Sequence, residues 1–138
     1  MVNLFFEETE VLELDPDFFV LWLSRVCEAE QKKLGEVNLV FCSDDYLLEI
    51  NKAHLNHDYY TDIITFDYYD EQITGDLFVS IDRVKDNAAG LNVGFNHELH
   101  RVVVHGLLHL LGYGDKSEEE KMVMREMEDK SLLLIRPS

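Results

Sequence analysis

From residue 96 to about residue 111 the chain reads N-H-E-L-H-R-V-V-V-H-G-L-L-H-L-L. Wound at 3.6 residues per turn, Leu99, Val102, Val103, Val104, Leu107, Leu108 and Leu110 cover most of the circumference of a helix. A helix that is apolar on nearly all sides belongs in the middle of a core, so the fold must enclose this one. The same segment carries His105 and His109. Spaced four apart, they share one face with their Cβ atoms about 5–6 Å apart, close enough to hold one metal ion together. Gly112 then permits a sharp turn, and Asp115 follows as a third donor. Three protein ligands leave a fourth position open, as in catalytic sites; structural zinc sites are closed by four.

The frame is similar to the metzincin pattern H-E-x-x-H-x-x-G-x-x-H, with two changes. Asp115 stands in place of the third His, and Gly106 in place of the Glu that serves zinc peptidases as general base. The spacing for metal binding is kept while the peptidase base is absent. Stepping back along the ligand face by four and seven residues reaches Arg101 and Glu98. Arg101 is a candidate contact to a substrate phosphate; the alternative is an i, i+3 ion pair with Glu98 that supports the histidines. His97 and His100 point elsewhere and read as surface or capping residues.

The remaining segments surround this helix. Residues 2–6 read as a strand. Asp15 and Pro16 open a helix running to about Lys33, ahead of Gly35. A strand over 36–42 is followed by a helix capped by Ser43, a polar turn over 54–61, strands over 62–67 and 75–81, and a short helix over 82–90. Ser117 and Glu120 make a capping box for a last helix to about Leu133. The order β-α-β-α-β-β-α-α-α predicts an α+β fold: a single domain over residues 1–138, with a small four-stranded sheet covered by helices and a zincin-like metal helix.

A 138-residue chain with 46% hydrophobic and 11% aromatic residues suits one domain with a sizeable core. No apolar run approaches membrane-spanning length, and the N-terminus lacks the pattern of a secretory signal. Cys27 and Cys42 read as core thiols on separate elements, which suits a reducing cytoplasm. The formal net charge is −16, from 12 basic and 28 acidic residues. That excludes broad, unspecific attraction to nucleic acid or an anionic membrane, though not a small metal-focused site.

His105, Gly106, Leu108, His109, Leu110, Gly112 and Tyr113 resemble the signature H-G-x-L-H-L-x-G-Y-D-H of the YbeY family, bacterial metal-dependent endoribonucleases of ribosomal-RNA maturation. Thr61-Asp62-Ile63-Ile64-Thr65-Phe66 and the later Gly75-Asp76 resemble two further blocks of that family, in the same order. Gly114 and Asp115 depart from the pattern, standing for the usual Asp and the third His. Leu55 stands where the family often has an arginine thought to handle RNA phosphate; Lys52, His54 and His57 lie nearby.

The resemblance implies a hydrolase specific for single-stranded RNA, acting in ribosomal-RNA processing, 16S 3′-end maturation and ribosome quality control in the cytoplasm. It implies single-stranded rRNA and ribosomal proteins or the small ribosomal subunit as partners, with no membrane and no DNA. One zinc ion per chain would be held by His105, His109 and Asp115, a set that other divalent transition metals also accept. That ion would polarise a phosphoryl oxygen or acidify water. With Gly106 offering no base, water at the metal, a nearby His or the RNA 2′-hydroxyl must supply the nucleophile or the proton transfer. Asp62 and Asp76 read equally as carboxylates that hold the sheet. The rival classes are a metallopeptidase or other metal hydrolase, and a non-catalytic ribosome-assembly factor.

Overall fold

The computed structural model describes residues 1–57 and 59–135. Its elements are β1 (Val2–Glu7), α1 (Pro16–Ala29), β2 (Leu34–Cys42), α2 (Asp44–Leu55), β3 (Ile63–Asp67), β4 (Ile73–Ser80), α3 (Ile81–Leu91), α4 (Phe95–Leu110) and α5 (Glu118–Leu133). The order is the predicted one, and the architecture is α+β.

The sheet order is β1-β2-β4-β3. β1, β2 and β4 run parallel, and β3 returns antiparallel at the edge. The pleat sends alternate residues to opposite faces. Val37, Leu39, Phe41, Leu77 and Val79 meet the main core, where α1 and α4 pack. On the other face α2 covers Cys42, Ile64 and Phe78. Beyond the reach of α2 that face turns polar: Asn3 hydrogen-bonds Asn38, and Asn38 donates to Asp76 at 2.9 Å.

α4 is the helix the core encloses. Leu99, Val103, Val104, Leu107 and Leu108 have no exposed surface, and α3, α5 and the β3–β4 pair surround them. Truncating a fully buried leucine such as Leu107 to Ala costs about 2–5 kcal/mol. At Gly106 α4 lies close against the sheet. A Cβ there would lie 2.6 Å from Ile63 Cδ1 and 3.0 Å from Leu77 Cδ2. Glycine costs helix stability, about 1 kcal/mol relative to Ala, and here it permits the close approach.

The caps follow from the sequence. Asp15 accepts from the Asp17 N–H, Ser43 from Tyr46, and Ser117 and Glu120 form the full capping box. The junction between α1 and β2 differs from expectation. α1 stops at Ala29, not near Lys33, because Gln31 turns left-handed with φ 58°. Gly35 is therefore inside β2, where a Cβ would lie 2.3 Å from Thr74 Oγ1; it marks close strand contact and not a helix end. Cys27 and Cys42 are fully buried free thiols, and burial pushes both up to about 12, so neither is a ready nucleophile. Among the described residues no helix is long and apolar enough to cross a membrane.

Candidate metal centre

The C-terminal part of α4 projects His105 and His109 into a cleft of about 640 Å³ that is also lined by Leu55, His57, Tyr59 and Tyr69 and by residues of the edge strand β3. Gly112, at φ 105°, turns the chain back, a conformation that favours glycine. The turn brings Asp115 up to the two imidazoles. The Nε2 atoms of His105 and His109 are 3.0 Å apart, and Asp115 Oδ2 lies 3.2 Å from the first and 3.4 Å from the second. Ligands at zinc–nitrogen and zinc–oxygen distances in a tetrahedral shell are separated by about 3.3–3.4 Å. The triangle is therefore of the right size for one small divalent ion.

Hydrogen bonding shows why these atoms attract a cation. His109 Nδ1 lies 2.9 Å from the Tyr113 carbonyl oxygen. A carbonyl only accepts, so Nδ1 carries the proton and Nε2 presents a lone pair. His105 Nδ1 donates to Glu128 Oε2 at 2.7 Å, which fixes the same tautomer. With both rings neutral, two Nε2 lone pairs and a carboxylate oxygen converge, a donor set that a bound cation would satisfy. Histidine metal ligands are usually oriented in this way, by a carboxylate or a carbonyl on the far nitrogen.

Glu128 extends the chain of support. Its Oε1 accepts from Arg101 at 2.8 Å, and Arg101 reaches Asp129 at 2.8 Å. Burial pushes the Glu128 carboxyl up, but the hydrogen bonds from His105 and Arg101 outweigh it and hold the group below the ordinary glutamate value. For His105, burial pushes the imidazole down, while the Glu128 hydrogen bond and charge more than offset this; Asp62 and Asp115 add to the rise. Arg101 is therefore a supporting residue, tied to α5. Its ion-pair partners are Glu128 and Asp129. Glu98, the expected partner, is buried, with Oε1 unpaired among the described residues.

Asp62 lines the cleft half-buried. Burial raises its pKa, partly countered by the charge of His105 and by backbone N–H groups. Asp76 lies outside this cleft, held by Asn38 and by the Tyr68 hydroxyl. Leu55 and His57 line the cleft, His54 packs edge-on to Phe66, and Lys52 pairs with Glu49. His97 is exposed as expected, but His100 is half-buried against Phe18, Phe19 and Trp22, and burial lowers its pKa. Glu128 was not among the residues singled out from the sequence. Its signal was a carboxylate on the buried stripe Met124, Glu128, Ser131 of α5, since buried acids are normally paired.

An α+β fold in which two helix-borne histidines and a loop aspartate converge at a cleft has the donor set of a protein that can hold a metal ion. A family model described as Endoribonuclease YbeY matches residues 6–136. A Flavobacterium johnsoniae protein named Endoribonuclease YbeY is 48% identical over 135 residues, covering 97% of this chain and 96% of the relative. One of the same name from Cytophaga hutchinsonii is 54% identical over 115 residues, covering 82% of this chain and 80% of the relative. The solution structure of a Thermotoga maritima protein superposes with a TM-score of 0.68 at 27% identity, over 98% of this chain and 89% of that one. The chain belongs to the endoribonuclease YbeY family.

Proposed function

We propose that the chain is a metal-dependent endoribonuclease that cuts single-stranded RNA during ribosomal-RNA maturation in the cytoplasm, with residues 1–138 acting as one domain. His105, His109 and Asp115 hold one divalent ion, zinc by the chemistry of the donor set. The observation that carries the reading is the convergence of two histidine Nε2 atoms and a carboxylate oxygen, 3.0–3.4 Å apart, in an open cleft. Membership of a family whose relatives bear the name Endoribonuclease YbeY supplies the reaction class.

When bound, the ion supplies Lewis acidity toward a phosphoryl oxygen or water. The protein's own groups do the rest. Glu128 keeps the His105 proton on Nδ1, away from the cleft, and the Tyr113 carbonyl does the same for His109. Asp62 lines the same cleft as a half-buried carboxylate, and burial raises its proton affinity. Gly106 contributes no base, which disfavours a peptidase mechanism on the same frame. Ribosomal proteins of the small subunit would deliver the RNA, since a chain of net charge −16 gains little from unspecific attraction.

Metal-loaded protein incubated with single-stranded RNA and, separately, with an unstructured peptide tests the assignment. Cleavage of the RNA alone is the expected outcome. Cleavage of the peptide, or of neither, overturns it.

A further inference from the structure

The wall of the cleft facing the metal site carries more exposed aromatic surface than packing explains. Tyr59 is 56% exposed, Tyr69 89% and Leu55 42%, and all three line the cleft with His105, His109 and Asp115. Neither ring belongs to the hydrophobic clusters of the core. Both are nonetheless positioned. Tyr59 stacks on His57, with centroids 5.1 Å apart and planes inclined at 21°, and Asn51 donates to the Tyr59 carbonyl at 2.9 Å. Tyr69 sits at φ 53°, where tyrosine is uncommon, and its N–H is held by Asp67 Oδ1 at 2.7 Å. The backbone is thus fixed in a way that turns the ring outward.

The charges along the same wall are wrong for gripping phosphates. Among the described lining residues Asp62, Asp67 and Asp115 are acidic, and Lys116 is the Lys or Arg side chain present. A single-stranded nucleic acid still offers unstacked bases, whose faces stack on aromatic rings without any call on charge. We infer that Tyr59, backed by His57, and Tyr69 are a base-stacking platform that seats single-stranded RNA across the metal centre, so that substrate is held by its bases more than by its phosphates. The inference rests on the endoribonuclease reading and adds how the substrate is gripped.

The test uses the whole chain and a fluorescein-labelled 2′-O-methyl homouridine octamer, which lacks the 2′-hydroxyl, with an octamer of abasic residues as comparator. Anisotropy should give about tenfold weaker octamer binding for Tyr59→Leu and for Tyr69→Leu, the lower part of the range for one base–aromatic stack. Tyr→Phe at either position should bind within about twofold of the parent, because the ring face is kept. The abasic octamer should bind at least about tenfold more weakly than the homouridine one. The slope of log K against log salt should be shallow, of magnitude about 0.7–1.4, the value for one or two phosphate contacts on a single strand. In cleavage of unmodified RNA the Leu variants should raise KM and leave kcat near the parent's, as expected for binding equal in ground and transition states. Metal content equal to the parent's shows that the variants are folded around the site.

If the parent cleaves RNA and the Leu variants bind and cleave as the parent does, the stacking platform is wrong and the endoribonuclease reading stands. Equal binding of the abasic octamer, or a steep salt slope, also overturns the platform. If the parent neither binds nor cleaves RNA but binds an unstructured peptide through the same tyrosines, both readings fall and the wall is a peptide surface.

Discussion

On the helix side of the cleft His105 is held by Glu128, Glu128 by Arg101 and Arg101 by Asp129, while His109 is held by the Tyr113 carbonyl. On the facing side Tyr69 is 89% exposed and Tyr59 leans on one neighbouring ring. On the helix wall both imidazoles are held from behind, His105 by a chain of three partners and His109 by a backbone carbonyl. This is what a metal demands, because a ligand set misplaced by a fraction of an ångström loses affinity. The facing side leaves Tyr59 and Tyr69 largely in solvent, which suits contacts made only when a flexible substrate arrives. Damage to the first wall should therefore abolish the chemistry, whereas damage to the second should weaken substrate binding.

The largest effect is expected for His109→Ala. Metal content and RNA cleavage should both fall by more than about 100-fold, with a folded domain remaining, since the α4 core is Leu and Val and not the ligand. Elemental analysis, circular dichroism and an RNA cleavage assay read this together. A variant that keeps its metal would mean that the helix wall does not hold the ion. Glu128→Gln goes one step back along the chain of support. It should lower metal affinity or activity by about 10–100-fold, the usual effect of losing a group that orients a ligand; metal competition with a chelating dye reads it. An unchanged affinity would make Glu128 a mere core pair for Arg101.

Asp115→His sharpens the comparison from the other direction. Asp115 is at the rim, its side chain 41% exposed, on a loop freed by Gly112. With the side chain this exposed, zinc affinity should stay or rise. A fall of more than about tenfold, about 1.4 kcal/mol, would mean that the short carboxylate is specifically required. The smallest expected effect is on stability, from Glu98→Gln. Burial raises the Glu98 pKa above 4.5, with Arg101 opposing and Asp62 and Glu128 adding. The folded state then holds the proton more tightly than the unfolded chain, so ionisation costs stability. That cost is absent below the unfolded value near 4.5 and is fully present once pH exceeds the folded pKa. The variant should be more stable at pH 7, by on the order of 1 kcal/mol or about 4 °C in Tm, and the gain should vanish in melts below about pH 4.5. A gain that persists at low pH would assign the effect to packing instead of charge.

The order of elements was legible because each has a local cause. α4 declares itself by apolar residues on all sides, and Asp15, Ser43 and Ser117 cap their helices in sequence as in space. The His105, His109, Asp115 triangle was legible because one helical turn and one glycine turn set it locally. What could not be read were contacts between segments distant in sequence. Glu128 reaches His105 from 23 residues away, and no local pattern says which helix α5 packs against. Arg101 was placed on the correct face, but its partners came from α5 and not from Glu98 on its own helix. Gln31 ended α1 early by turning left-handed, although Gly35 was the obvious stop. The identity of the opposite wall depended on β3 lying at the sheet edge, a matter of strand order that sequence leaves open.

The metal content of the untagged protein, purified without chelators, bears most directly on the claim that three lone-pair donors converge to hold a catalytic ion. Elemental analysis should find about one transition-metal ion per chain, zinc foremost, and stripping it should stop RNA cleavage while the helical signal persists, with zinc restoring activity. Less than about a tenth of an equivalent, with no uptake on adding zinc, or full RNA cleavage by the stripped protein, would contradict that claim.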